Sequence, residues 1–172
     1  MRTNPDDTMP ALEAELAGGG TWRLADEHPA KLSLLVFYRG LHCPICRVWL
    51  GELDRLVPEF TARGVSAIAL SCDARERGER AKDQWGLENL RVGYGIEPED
   101  ARKAGLYISE GRGKDEPQLF TEPAVLLVKP GDGTLYAAWV QSQPRARPHF
   151  EEVLAAADKL IERGLPAPRG SA

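Results

Sequence analysis

Residues 32–38, Leu-Ser-Leu-Leu-Val-Phe-Tyr, form a nearly unbroken apolar run between Lys31 and Gly40. That pattern predicts a strand covered on both faces, placed at the centre of a sheet. From Pro44 the period lengthens: Ile45, Val48, Trp49, Leu53, Leu56, Val57 and Phe60 fall on one helical face, with most of the charges elsewhere. Pro44 suits the first turn of such a helix, where its missing N–H costs nothing. Pro58 lies inside the same run and predicts a kink or an early end, and Arg63-Gly64 closes the segment. Residues 65–71 repeat the buried-strand pattern, and Asp73 reads as the cap of a mostly charged, surface-lying helix over residues 74–85.

The flanking pattern is weaker. Residues 1–20 read as a leading arm with at most a helical turn at 11–17, ended by Gly18-Gly19-Gly20. Residues 21–24 alternate as a short edge strand would, and His28-Pro29 then breaks the chain. Downstream, residues 90–94 read as a short strand, Pro98 opens a small helix through residue 106, and residues 109–118 read as a loop. Two strands, 124–129 and 135–140, flank Asp132-Gly133, a hairpin signal. A last amphipathic helix carries Phe150, Val153, Leu154, Ala157, Leu160 and Ile161 on one face and stops at Gly164. The expected organisation is an arm (1–20), one domain (21–164) and a flexible tail (165–172). Crossovers demand parallel neighbours in the first half, and the Asp-Gly turn demands an antiparallel pair at the end. The class is therefore α/β, a mixed central sheet with helices on both faces.

Composition narrows the function. A chain of 172 residues with 42% hydrophobic positions can bury one good core. The net charge is −4 with acids and bases interleaved, which argues against nucleic acid or anionic lipid as a partner. Apolar runs are too short to cross a bilayer, and the first residues lack a secretion signal, so a cytoplasmic protein is expected. Three cysteines, Cys43, Cys46 and Cys72, are too few and too odd a number for a disulfide framework.

What remains is chemistry at a thiol pair. Cys43 and Cys46 form a C-x-x-C where the first long strand hands over to its helix. Helix N-termini stabilise a thiolate through unpaired N–H groups and the macrodipole. Helical residues three apart have Cβ atoms about 5–6 Å apart and a disulfide needs roughly 3.8 Å, so a small closing of the turn lets the pair cycle. Arg39 and His42, on the approach loop, are candidate sources of positive charge favouring the thiolate. A structural zinc site wants four ligands, and this pair with His42 offers at most three, so no metal and no cofactor is expected. A non-enzymatic thiol metal carrier is the alternative of another class. Cys72, at the end of a strand-like run, reads as a small buried residue or a third thiol near the site. Trp49 reads as core, His149 as a surface or capping residue, and Arg145 with Arg147 as too small a patch to imply an anion partner.

Several stretches together resemble a known family: residues 35–46 around the C-x-x-C, 85–90 (Trp-Gly-Leu-Glu-Asn-Leu), 104–109 (Ala-Gly-Leu-Tyr-Ile-Ser) and 143–150 (Gln-Pro-Arg-Ala-Arg-Pro-His-Phe). They are similar to the peroxiredoxin-like proteins of the alkyl hydroperoxide reductase and thiol-specific antioxidant superfamily, over about residues 18–164. The resemblance implies a thioredoxin fold and a thiol oxidoreductase acting on a hydroperoxide or a disulfide. It also implies a thiol reductant such as thioredoxin or glutathione, and it allows a homodimer. In that family a proline, a Thr or Ser and the peroxide-attacking Cys form a spaced trio. Here Cys46 matches the attacking Cys, Arg39 stands for the proline and Cys43 for the hydroxyl residue. The family's later Arg would fall near Glu122. Thr121-Glu122-Pro123-Ala124 instead resembles the thioredoxin position that carries a cis-proline beside the C-x-x-C, which would let the neighbouring backbone pair with a substrate. Two assignments follow. Either Cys43 attacks a disulfide and Cys46 resolves it, or Cys46 attacks a hydroperoxide and Cys43 condenses with the sulfenic acid.

Overall fold

A computed structural model describes residues 3–171. The two apolar runs form β3 (Leu32–Phe37) and β4 (Val65–Leu70), paired in parallel from Leu32↔Val65 to Phe37↔Leu70. The other side of β3 is taken by β8 (Ala124–Val128), antiparallel, followed by β9 (Leu135–Val140). Beyond β4 lies β5 (Arg91–Tyr94), parallel to it, then β1 (Glu13–Leu16) and β2 (Thr21–Arg23), both antiparallel to their neighbours. The seven-stranded order is β2-β1-β5-β4-β3-β8-β9. It is the expected mixed sheet, with strand β3 near its middle.

Alternation along β3 splits the core into two layers. Leu32, Leu34 and Val36 point to the side holding α1 (Pro44–Ala62) and α4 (Phe150–Glu162), where Trp49, Leu50, Leu53, Phe60, Phe150 and Val153 meet them. Leu35 and Phe37 point to the other side, against α3 (Pro98–Lys103) and the N-terminal residues Met9, Leu12, Trp22 and Leu24. Helix α2 (Arg75–Gln84) packs on β5 through Gly78, where a Cβ would stand 2.5 Å from Tyr94.

Several expectations are corrected. Residues 11–17 are not a helical turn: Glu13 and Glu15 are exposed while Leu12 and Ala14 are buried, the two-residue alternation of a strand, and they close the free edge of β5. The three glycines hold φ of +91°, +107° and +95°, and turn β1 into β2. The expected loop at 109–118 begins and ends in a hairpin, β6 (Ile108–Glu110) with β7 (Leu119–Thr121), formed over the helix α3 and anchored by the buried Phe120. Helix α1 runs uninterrupted through Pro58. The proline removes an N–H partner from the Asp54 carbonyl, yet Leu53 before it and Phe60 after it stay buried; Val48, expected on the apolar face, is instead 75% exposed. Asp73 does not cap α2, whose N-cap is Ala74; its carboxylate is engaged at the thiol loop instead. Residues beyond α4, expected as a flexible tail, run back over the body, where Tyr136 Oη donates to the Pro166 carbonyl and Pro168 is buried. No helix among the described residues is long and apolar enough to cross a membrane.

Candidate active site

The loop from β3 to α1 is held at four points. Tyr38 N donates to the Leu70 carbonyl at 3.0 Å, and Thr121 Oγ1 donates to the Tyr38 carbonyl at 2.9 Å. Buried Asp73 accepts the Leu41 N–H at 2.8 Å and is itself held by Arg77 Nε at 2.9 Å. Cys43 N donates to the Gly40 carbonyl at 3.1 Å. Gly40 has φ +122°, and a Cβ there would lie 2.7 Å from Asp73 Oδ1, so only glycine lets the loop close onto this carboxylate.

This clamp delivers Cys43 to the N-cap of α1, with extended backbone and Pro44 following it. Its sulfur accepts the Cys46 N–H at 3.3 Å, as a capping oxygen would. Both sulfurs belong to the layer under α1 and α4; Cys43 is 1% exposed and Cys46 0%. Hydrogen bonding from the Cys46 thiol, then from the Cys46 backbone N–H and Arg147, draws Cys43 down to about 5 against the opposing effect of burial. Burial first, then the hydrogen bond to Cys43 and the neighbouring Cys43 charge, push Cys46 well up. The pair is therefore asymmetric: a capped thiolate beside a protonated thiol.

The cation on the pair is Arg147, from the loop between β9 and α4. Its Nη1 donates to Cys46 Sγ at 3.2 Å and its Nη2 to Cys43 Sγ at 3.6 Å. Nε donates to the Pro144 carbonyl at 2.6 Å, and the guanidinium carbon lies 4.8 Å from the Trp49 ring centre. Trp49 in turn donates from Nε1 to the Pro148 carbonyl at 2.9 Å and stacks on Phe150 at 4.9 Å. Trp49 is thus core, as expected, and also the platform for the arginine. The reading of Arg145 and Arg147 as too small a patch fails for Arg147, because one half-buried guanidinium needs no patch when two sulfurs face it. The only sequence signal for it lay in residues 143–150, part of the family likeness.

The other candidates are placed differently. Arg39 faces Glu122 at 3.4 Å and Glu116 at 3.7 Å rather than the sulfurs, and lies 4.8 Å over the Phe120 ring. His42 is buried edge-on against the same ring, and burial, then the Arg39 charge, lower its pKa, which keeps it neutral near pH 7. Its two ring nitrogens have no hydrogen-bond partner. Neither residue is therefore the main charge on the thiolate. Every described peptide bond is trans, including Glu122–Pro123. Here the chain passes extended from β7 into β8, with Glu122 N donating to the Tyr107 carbonyl and the Pro123 carbonyl accepting from Gln141 N. The cis geometry implied by the thioredoxin likeness is absent, and the substrate pairing it would have offered goes with it. Cys72 packs with the opposite layer, across the sheet from the pair, and burial raises it to about 11. It is half-buried, and it is not a third thiol at this site. His149 is exposed, approaches Glu52 at 3.5 Å, and occupies the N-cap position of α4 as expected, through its backbone carbonyl and without a side-chain cap hydrogen bond. Among the described residues no three His, Cys, Asp or Glu side chains gather as a metal-binding group.

These features can be set beside known proteins. The model of the AhpC/TSA family matches residues 5–136. A 1-Cys peroxiredoxin of Dictyostelium discoideum is 33% identical over 91 residues, 52% of this chain and 34% of that protein. The chain thus spans about a third of the length of the curated relatives it matches. Among solved structures, a reduced 2-Cys peroxiredoxin of Plasmodium vivax superposes with a TM-score of 0.77 at 18% identity, covering 94% of this chain and 84% of that one. A peroxiredoxin-like protein from Aquifex aeolicus superposes with a TM-score of 0.74 at 16% identity, covering 91% and 87%. At such identities the structures speak for the thioredoxin-like fold. With the family model spanning most of the sequence, from the N-terminal strands through the C-x-x-C to β9, the chain belongs to the AhpC/TSA family.

Proposed function

We propose that this chain is a thiol-dependent peroxidase that cycles Cys43 and Cys46 between dithiol and disulfide. The Cys43 thiolate attacks one oxygen of a hydroperoxide, the O–O bond breaks, and the other oxygen leaves as an alcohol or water after taking a proton. The resulting Cys43 sulfenic acid condenses with the Cys46 thiol, forming the disulfide and releasing water. A thiol reductant then exchanges the disulfide back to two thiols. The carrying observation is the Arg147 guanidinium spanning both sulfurs at 3.2 and 3.6 Å. A fixed cation there stabilises the thiolate before attack and the charge developing on the departing oxygen during it. Membership of the AhpC/TSA family supports hydroperoxide as the oxidant. The reductant in this reading is thioredoxin or a small thiol such as glutathione, the setting is the cytoplasm, and a homodimer fits it.

One observation favours a second reading. Arg147 lies nearer to Cys46, and the family trio places the attacking Cys there, so the order could be reversed. Cys43→Ser and Cys46→Ser, each given one equivalent of hydroperoxide with a sulfenic-acid trap such as dimedone, separate the two. The proposed order gives trapped sulfenic acid on Cys43 in the Cys46→Ser variant and none in Cys43→Ser. Trapping only at Cys46 establishes the reverse order. Trapping in neither, with disulfides still reduced by the unaltered protein, replaces the peroxidase with a thioredoxin-like reductase.

A further inference from the structure

Both sulfurs are closed to solvent, so whatever reacts with the pair must first be let in. Much of what surrounds them is fixed: the loop from β3 is clamped by Leu70, Thr121 and Asp73, and Cys46 is already inside α1. The remaining contact on the sulfurs comes from the strap between β9 and α4, which carries Arg147. Along it Ser142, Gln143, Arg145 and Ala146 are exposed, while Pro144, Arg147 and Pro148 are half-buried. The strap is tied to the body at its ends. Gln141 N donates to the Pro123 carbonyl at 3.1 Å before it, and Phe150 N donates to Glu52 Oε1 at 3.0 Å after it. From Ser142 to Pro148, among the described residues, the hydrogen bonds that cross to the body are Trp49 Nε1 to the Pro148 carbonyl and Arg147 to the two sulfurs. Two others, Arg147 Nε to the Pro144 carbonyl and Arg145 N to Gln143 Oε1, stay within the strap. The middle of the strap is therefore fastened to the dithiol itself.

The strength of that fastening depends on the state of the sulfurs. A hydrogen bond from a guanidinium to an ionised acceptor is roughly twice as strong as one between neutral groups. Joining the Cys43 thiolate to the Cys46 thiol passes two electrons to the oxidant and releases the thiol proton, and the negative charge that Arg147 faces is gone. The guanidinium is then left over neutral sulfurs, with the Trp49 ring at 4.8 Å and the Pro144 carbonyl as its remaining partners. A partly desolvated cation without an anion is better placed in water.

We propose that the strap, residues 142–148, is a redox-responsive lid, held by Arg147 over the reduced pair and released when Cys43 and Cys46 become a disulfide. The inference rests on the dithiol cycle above. Release uncovers the disulfide to an attacking thiolate, and reduction restores the charge that draws Arg147 back. The two positions of the strap differ in their interaction with one charge, and that difference is what shifts the balance between them.

Limited trypsin digestion reads the lid directly. Arg145 is exposed and followed by Ala146, and cutting there requires the strap to lift from the body, whereas Arg147 precedes Pro148 and resists cleavage. The full chain is compared under a phosphine reductant and after oxidation by diamide, with the disulfide checked by intact mass. Cleavage after Arg145 is expected to be about tenfold or more faster in the oxidised form, with cleavage after Arg80 in α2 unchanged. Arg147→Gln is expected to be cut in reductant as fast as the oxidised wild-type chain, with no redox contrast left. The wild-type contrast needs no variant and stays decisive should Arg147→Gln fold poorly. Equal rates in the two wild-type forms, slower cleavage after oxidation, or an acceleration at Arg80 as large as at Arg145 overturns the proposal, as does a folded Arg147→Gln chain that keeps the wild-type contrast. Diamide replaces hydroperoxide so that the lid is tested apart from peroxide turnover. A chain that shows the contrast but reduces no peroxide keeps its lid and loses the peroxidase reading. A chain whose Cys43 and Cys46 are not joined by diamide loses the dithiol cycle and the lid with it.

Discussion

Arg147 donates to both sulfurs, so its charge counts most when one of them is ionised. With Cys43 held at about 5, the thiolate is nearly complete at pH 7 and is lost only as the pH falls through that value. Alkylation of Cys43 by iodoacetamide should therefore be flat with pH near neutrality and half-maximal near pH 5. Arg147→Gln removes a hydrogen bond and a positive charge from the thiolate, and the midpoint should rise by about one pH unit or more. A midpoint that does not move would remove Arg147 from the electrostatics of the site. At this scale the sequence was legible only in part. Cys43 and Cys46 are three positions apart in the chain and announce themselves by spacing. Arg147 is 101 residues from Cys46 and reaches it only because Trp49 and the Pro144 carbonyl fix its side chain. Arg39 and His42 are near Cys43 in sequence but are turned toward Glu122, Glu116 and Phe120, and sequence proximity says nothing about such a turn.

Element by element, the apolar patterns of β3, β4, α1 and α4 were readable because both layers of core press on them. Strand β1 was not, because its alternation is only four residues long and follows a Pro-rich start; the pairing that makes it a strand comes from β5, far along the chain. The same holds for β6 and β7, three residues each. Helix α1 shows how one element serves both fold and site. Its N-terminus carries the thiols, while Asp54, one turn before Pro58, turns its side chain to the segment leading into β5. Asp54 Oδ1 accepts from both Asn89 N and Leu90 N at 2.8 Å. Asp54→Ala leaves those N–H groups without a partner in a largely buried setting, and should cost about 1–3 kcal/mol of stability by urea denaturation. Loss of less than a few tenths would mean that water or another acceptor serves them equally well.

For the molecule as a whole, the sheet has a division of labour. One layer, between the sheet and α1 with α4, contains the dithiol, the Trp49 platform and the strap that brings Arg147. The other, with α3 and the N-terminal residues, is packing, and Cys72 lies on that side. The sheet therefore separates the third thiol from the pair, and in the proposed cycle the choice of disulfide is set by architecture and not by thiol reactivity alone. Mass spectrometry of the purified, reduced chain after one equivalent of hydroperoxide tests this most directly, by intact mass and by peptide mapping. The expected result is a loss of two hydrogens, a single bond between Cys43 and Cys46, free Cys72, and full recovery of the starting mass on adding a thiol reductant. Cys43 and Cys46 left unlinked, or a bond from either to Cys72, would contradict it.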